Sequence, residues 1–176
     1  PLWRVADQKL FEFSGNFSPA FSANDNRRGP MLVWSASDAK HWTDYSLAAT
    51  VLPGRPYGIG LVFRYRDVNN HYKLEVDASR RFHKLTRRMG GSETLLAQAA
   101  SFGWETNNLD FVRPTRMRVE LLGNRIEAFW GDHQMFTGPV YDDALSGGTV
   151  GVHGWANRGA SFSQLVVART GSVAPA

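Results

Sequence analysis

The sequence predicts an all-β domain, a two-sheet antiparallel sandwich, and three observations carry that prediction. No segment keeps an apolar period of 3.6 residues long enough to form a helix. Turn-forming residues recur about every 8 to 12 positions, the spacing of short strands in sandwiches and barrels. The third observation is the stretch from Gly58 to Asp77, where Ile59, Leu61, Phe63 and Tyr65 alternate with small or polar residues. Tyr72, Leu74 and Val76 repeat the alternation beyond Asp67-Val68-Asn69-Asn70. Asn and Asp tolerate left-handed backbone and bond their own main chain, so those four residues suit the turn of a hairpin. The alternation predicts one buried and one wet face, with Arg64, Arg66, Lys73, Glu75 and Asp77 sharing the wet one.

The other elements follow along the chain. Trp3-Arg4-Val5 opens a short segment that Lys9 to Phe13 continues, and Gly15 to Gly29 is a polar loop. Met31-Leu32-Val33-Trp34 is a compact apolar run, read as a strand buried on both sides, and Ser46 to Leu52 is another strand. Pro53 to Tyr57 turns the chain into the central hairpin. Arg81 to Arg88 is a basic strand around Leu85, and Met89-Gly90-Gly91-Ser92 turns it back through Thr94 to Ala97. Ala99 to Pro114 is the least regular part. Met117, Val119 and Leu121 alternate with Arg116, Arg118 and Glu120 before Gly123-Asn124 turns into Ile126 to Trp130. Val150 to Trp155, Ala160 to Phe162 and Leu165 to Val167 close the fold. Residues 1–170 are expected to form one domain, with 171–176 as a linker or frayed tail.

Composition narrows the function classes. With 43% hydrophobic and 20% charged residues in 176, the chain is ordinary for a globular protein able to bury a core. No apolar run approaches the length of a membrane span. The absence of cysteine removes disulfides, thiolate nucleophiles and Cys-ligated zinc. The net charge of +4 is a weak pointer to acidic partners. None of the local patterns of a nucleic-acid module accompanies it, and nucleic acid is not an expected partner. A start at Pro1, with no signal peptide in view, suggests a piece of a longer protein and by itself leaves the compartment open. An extracellular, cell-surface or periplasmic location is the expectation that goes with reading the chain as a module of a larger exported protein.

An ordered set of fragments carries a resemblance. They are Trp42-Thr43-Asp44-Tyr45-Ser46-Leu47, Gly60 to Asp67, Asn70-His71-Tyr72-Lys73-Leu74, Arg116 to Glu120, Gly148 to Val152 and Trp155 to Phe162. In this order they resemble the concanavalin-A-like lectin and glucanase superfamily, nearest to its laminin-G-like or glycoside-hydrolase-associated domains, over roughly Trp3 to Val167. The resemblance implies a jelly roll whose concave sheet suits a glycan. The superfamily hosts lectins, hydrolases, lyases and protein-binding domains, so fold alone does not assign activity. Laminarinase-type members carry E-x-D-x-x-E, with the nucleophile and the acid on one strand face. Here Glu75-Val76-Asp77-Ala78-Ser79-Arg80 supplies two acids and puts Arg80 in the third place, so the motif is incomplete. The chain also resembles 3-keto-disaccharide hydrolase-like domains of the same fold.

The expectation is a non-catalytic carbohydrate-binding module, with neighbouring domains of a parent protein as further partners. A glycan-active hydrolase or lyase and a structural or protein-interaction module are the alternatives. Sugars present apolar C–H faces and hydroxyls, so candidate ligand-binding residues combine aromatic and polar side chains. These are Arg64, Arg66, Lys73 and Glu75 on the hairpin, Trp104 and Trp155 as stacking platforms, and His153 and Asn157 flanking Trp155. No catalytic residue and no metal ligand is expected. His41, His71, His83, His133 and His153 are scattered, without metal-ligand spacing. A structural Ca2+ is implied by the resemblance alone, since a tight turn accounts for Asp67 to Asn70.

Overall fold

The computed structural model describes residues 3–13, 29–100 and 113–170. These form two antiparallel sheets. One holds β1 (Trp3–Ala6), β2 (Lys9–Glu12), β4 (Tyr45–Leu52), β9 (Thr115–Leu122), β10 (Arg125–Trp130), β11 (His133–Gln134), β12 (Val140–Tyr141) and β14 (Ser161–Arg169). Its order is β1-β2-β14-β4-β9-β10-β11, with β12 also pairing β10. The other holds β3 (Met31–Val33), β5 (Ile59–Asp67), β6 (Asn70–Asp77), β7 (Phe82–Met89), β8 (Ser92–Ala99) and β13 (Thr149–Gly154), in the order β3-β13-β5-β6-β7-β8. Among the described residues the helical structure is one 3-10 turn, Ala39–His41. The expected all-β sandwich and its central hairpin, β5 into β6, are both present.

Alternation builds the core as the sequence predicts. Leu47, Ala49 and Val51 of β4, Met117, Val119 and Leu121 of β9, and Ile126, Ala128 and Trp130 of β10 form one layer. Ile59, Leu61 and Phe63 of β5, Tyr72, Leu74 and Val76 of β6, Leu85 of β7 and Val152 of β13 form the facing layer. Each fully buried aliphatic or Phe side chain contributes roughly 1.5–3 kcal/mol. The Phe63 and Tyr72 rings stack at 5.4 Å across the hairpin.

Three sequence expectations are corrected. The run from Met31 to Trp34 is not buried on both sides: β3 is a three-residue edge strand paired only with β13, and Trp34 is 58% exposed. A run of three or four apolar residues does not distinguish a central strand from an edge one. The second correction concerns the hairpin's other face. Lys73, Glu75 and Asp77 do share it, yet they are buried rather than wet.

Arg64 leaves that face altogether. Register slips between Phe63 and Asp67, and Arg64 takes a left-handed φ of 45°. The bulge turns its side chain to the end of the sandwich, where it is 1% exposed. There its guanidinium donates to the carbonyls of Leu145 (3.1 Å), Thr43 (3.2 Å) and Gly123 (2.6 Å). Its backbone N–H donates to the Tyr45 hydroxyl at 2.8 Å. Arg64 is therefore a staple for three loops, not a ligand contact. Arg66 follows it to the same end, exposed, with Nε donating to Gly147 O at 3.2 Å.

Without Arg64 the buried Leu145 carbonyl loses its donor, and the part-buried contacts to the Thr43 and Gly123 carbonyls go with it, at about 1–3 kcal/mol for each group not rescued by water. Arg64→Ala is expected to lower unfolding stability by about 3 kcal/mol or more, with Arg64→Lys recovering part of it. Urea denaturation checks both, and an unchanged midpoint for the Ala variant would refute the staple.

Candidate functional site

The polar face of the six-stranded sheet is organised by β6. Its core-facing positions are Tyr72, Leu74 and Val76, so strand geometry puts His71, Lys73, Glu75 and Asp77 in a line on the opposite face. Register places Arg88, Thr86, Lys84 and Phe82 of β7 beside them on one flank. On the other flank, β5 presents Gly60 opposite Glu75, and β13 presents His153 opposite Gly60. A bare Gly60 lets two side chains meet across the strand between them: His153 Nε2 lies 2.9 Å from Glu75 Oε2. A Cβ at position 60 would fall 1.9 Å from Leu74 O, so no other residue fits there without moving backbone.

Glu75 is the hub. It is 2% exposed, and a carboxylate that dry must be paired. Lys73 Nζ lies 3.2 Å from Oε2 and Arg80 Nη2 lies 3.3 Å from Oε1, with His153 as the third partner. Burial opposes its ionisation, but Lys73 and the His153 hydrogen bond outweigh burial and hold the carboxyl well below the usual carboxylate range. The His153 imidazole moves down for the complementary reason, burial first and the Lys73 charge second. Glu75 is thus ionised and His153 neutral, with Nε2–H donating to Glu75. Its Nδ1 is left as a buried acceptor with no hydrogen-bond partner.

The network continues in both directions. Arg80 closes on Asp77, with Nε 2.7 Å from Oδ2 and its backbone N–H 2.8 Å from Oδ1, and its guanidinium carbon sits 4.2 Å from the Trp155 ring centroid. Burial raises the Asp77 carboxyl against the pull of Arg80. On the other side Glu93 lies 3.9 Å from Lys73 and 3.6 Å from Arg88. Three acids and three bases therefore alternate across the face. Both oxygens of Asp77 are taken by Arg80.

The candidate residues divide accordingly. Lys73, Glu75, His153 and Trp155 come together on this face. Trp155 is 4% exposed, because Arg80 covers its ring and Tyr57 meets it edge-on at 6.1 Å, so it is not an open platform. Asn157 is fully buried and structural: its Oδ1 accepts from the N–H groups of Gly54 and Arg55 at 2.8 and 2.7 Å, and its Nδ2 donates to Tyr57 O at 2.6 Å. Arg64 and Arg66 lie at the far end. Trp104 lies outside the described residues. Sequence reasoning missed Arg80 and Glu93. The available signal for Arg80 was its place three residues after Asp77, where one tight turn folds it back on the strand it leaves.

Among the described residues, no group of three or more His, Asp or Glu is placed to hold a metal ion. In the hairpin turn, Asp67 Oδ1 accepts from the Asn69 N–H at 2.7 Å, and both carboxylate oxygens accept from Asn70 Nδ2 at 2.9 Å. The turn's own donors occupy the oxygens a cation would use.

Comparison with known proteins places the architecture. The model superimposes on the carbohydrate-binding module CBM66 from Bacillus subtilis with a TM-score of 0.70 and 17% identity, covering 94% of this chain and 90% of that one. It matches the Caenorhabditis elegans galectin LEC-6 with a TM-score of 0.57 and 8% identity, over 94% of this chain and 100% of that one. The shared fold is a two-sheet jelly-roll β-sandwich. A GH43 protein from Bacillus licheniformis also matches, with a TM-score of 0.55 and 14% identity, over 96% of this chain but 38% of that one. No protein-family profile and no curated protein matches the sequence.

The jelly roll buries two further imidazoles. His71 stacks on Tyr65 at 5.6 Å, and burial, with the nearby Lys73 and Arg88 charges, takes it down to about 4. His83 lies beside Phe136, and burial takes it down to about 4 as well. Each binds its proton more weakly folded than unfolded, so its contribution is complete above about pH 6.5 and lost as pH falls towards 4. Glu75, a carboxyl that is likewise lowered, adds a second loss below about pH 4.3. Urea midpoints should therefore fall from neutral pH to about pH 4.5, and more gently in His71→Gln. An equally steep fall in that variant would remove His71 from the account.

Proposed function

We propose that the chain is a non-catalytic glycan-binding module of a larger, exported protein, and that it holds its ligand on the six-stranded sheet at Lys73, Glu75, Arg80, His153 and Trp155. The supporting observation is the Glu75 hub. A carboxylate, an ammonium, a guanidinium and a neutral imidazole are fixed on one sheet face beside an indole, each oriented by the others before any ligand arrives. Sugar hydroxyls both donate and accept, so they match a face with donors and acceptors interleaved. Pre-orientation removes the ordering cost that binding otherwise carries.

The likeness to a carbohydrate-binding module and to a galectin supports the same reading, and the match to part of a GH43 protein fits a module carried within a longer chain. Trp155 acts here through Arg80, whose guanidinium carbon sits 4.2 Å from the indole centroid.

Arg80→Ala tests the site. The backbone N–H of residue 80 still holds Asp77, and Lys73 and His153 still hold Glu75, so the fold should lose about 3 kcal/mol, and thermal unfolding of the variant confirms that binding is assayed on folded protein. Binding on a glycan array and in insoluble-polysaccharide pull-downs, run with calcium and with chelator, should drop about tenfold or more. Wild-type retention by the variant would overturn the site. Silence on every glycan would overturn the function, and released product would convert the module into an enzyme.

A further inference from the structure

A groove of about 490 Å³ opens at the other end of the sandwich, between the segment entering β4 and the end of β14. Trp42, Asp44, His41 and Arg169 supply its chemistry. Its distance from the Glu75 hub follows from β5, which starts beside Trp155 and reaches Arg64 five residues later, roughly 17 Å away. The volume falls within the range of small-molecule sites, about 300–1,000 Å³.

The wall of this groove is held unusually firmly for a connecting segment. Trp42 O accepts from the Gly148 N–H at 3.0 Å, Thr43 O from Arg64 at 3.2 Å and Asp44 O from the Thr170 N–H at 3.4 Å. Three consecutive carbonyls are thus tied to three different parts of the chain. Side chains are fixed as well. Asp44 Oδ1 accepts from the Gly123 N–H at 2.8 Å and lies 3.9 Å from Arg64, yet 43% of its side chain stays exposed. Trp42 is half-buried and braced edge-on against Tyr45 at 6.2 Å.

We infer that this groove is a second saccharide-binding site, independent of the sheet face, which takes one or two neutral sugar units. The indole offers an apolar surface for sugar C–H groups, Asp44 accepts from a pair of hydroxyls, and Arg169 and His41 donate. Asp44 and Arg169 bring one charge of each sign to the groove, so its lining has no net charge to favour uronates or sulfated sugars, and the class is neutral. Two sites about a β-strand's length apart allow one module to engage two chains, or two stretches of one chain, with avidity beyond either site.

The test is a titration of 15N-labelled protein with cellobiose, laminaribiose, lactose and sucrose to tens of millimolar, following the indole N–H signals. The Trp42 signal is expected to shift with at least one of them, equally in wild type and Arg80→Ala, which separates this site from the sheet face. Asp44→Asn keeps the acceptor for Gly123 and loses the charge, and should weaken the Trp42 response about tenfold. Trp42→Phe should retain part of the affinity, followed through the Asp44 amide. No Trp42 shift with any of the four sugars overturns the inference, as does loss of the shift in Arg80→Ala or stronger binding of galacturonic acid than of the neutral sugars. Trp42 shifts with an inert sheet face would leave this groove standing and remove the proposed primary site.

Discussion

The polar side of this molecule depends on keeping one carboxylate ionised in the absence of water. Glu75 meets that constraint with three partners of different kinds, and each partner is fixed in turn: Lys73 by Glu93, Arg80 by Asp77 and the Trp155 ring, His153 by the glycine strand that separates it from Glu75. A buried charge with a single partner is a liability. A buried charge with three defines positions for everything around it, and the face inherits its order from that requirement.

Arg64 applies the same logic at the opposite end with carbonyls in place of carboxylates. Its left-handed backbone removes it from the line of β6 partners, and its guanidinium gathers the loops at Thr43, Gly123 and Leu145. The rim groove borrows its firm wall from that staple, because the carbonyl Arg64 holds belongs to the residue between Trp42 and Asp44. Scaffold and prospective site share an atom.

Much of the fold was legible because alternation reports faces directly. The hairpin, with its core positions from Ile59 to Val76, and the inward Met117, Val119 and Leu121 of β9 followed from period two alone. Faces are not environments, however. The alternation that grouped Lys73, Glu75 and Asp77 was right, whereas the inference that they are wet was not, since strand period does not say what lies above a sheet. Arg64 was misplaced because one bulge shifts parity, and Asp67 to Asn70 gave no sign that the slip begins at Phe63. Trp34 was read as core because an indole beside aliphatic residues looks buried in one dimension, and β3 proves to be an edge. Arg80 was seen only as the residue that spoils an acidic motif. Its actual role needs the turn geometry that returns it to Asp77.

The glycine strand between His153 and Glu75 also fixes an order of assembly. Lys73 and Arg80 lie two and five positions from Glu75, so the closing hairpin and its following turn deliver them with little loop entropy. His153 is 78 positions away and reaches Glu75 only when β13 docks along β5. The anion is therefore matched by cations early in folding, and its neutral partner arrives last, at the moment the sheet is complete.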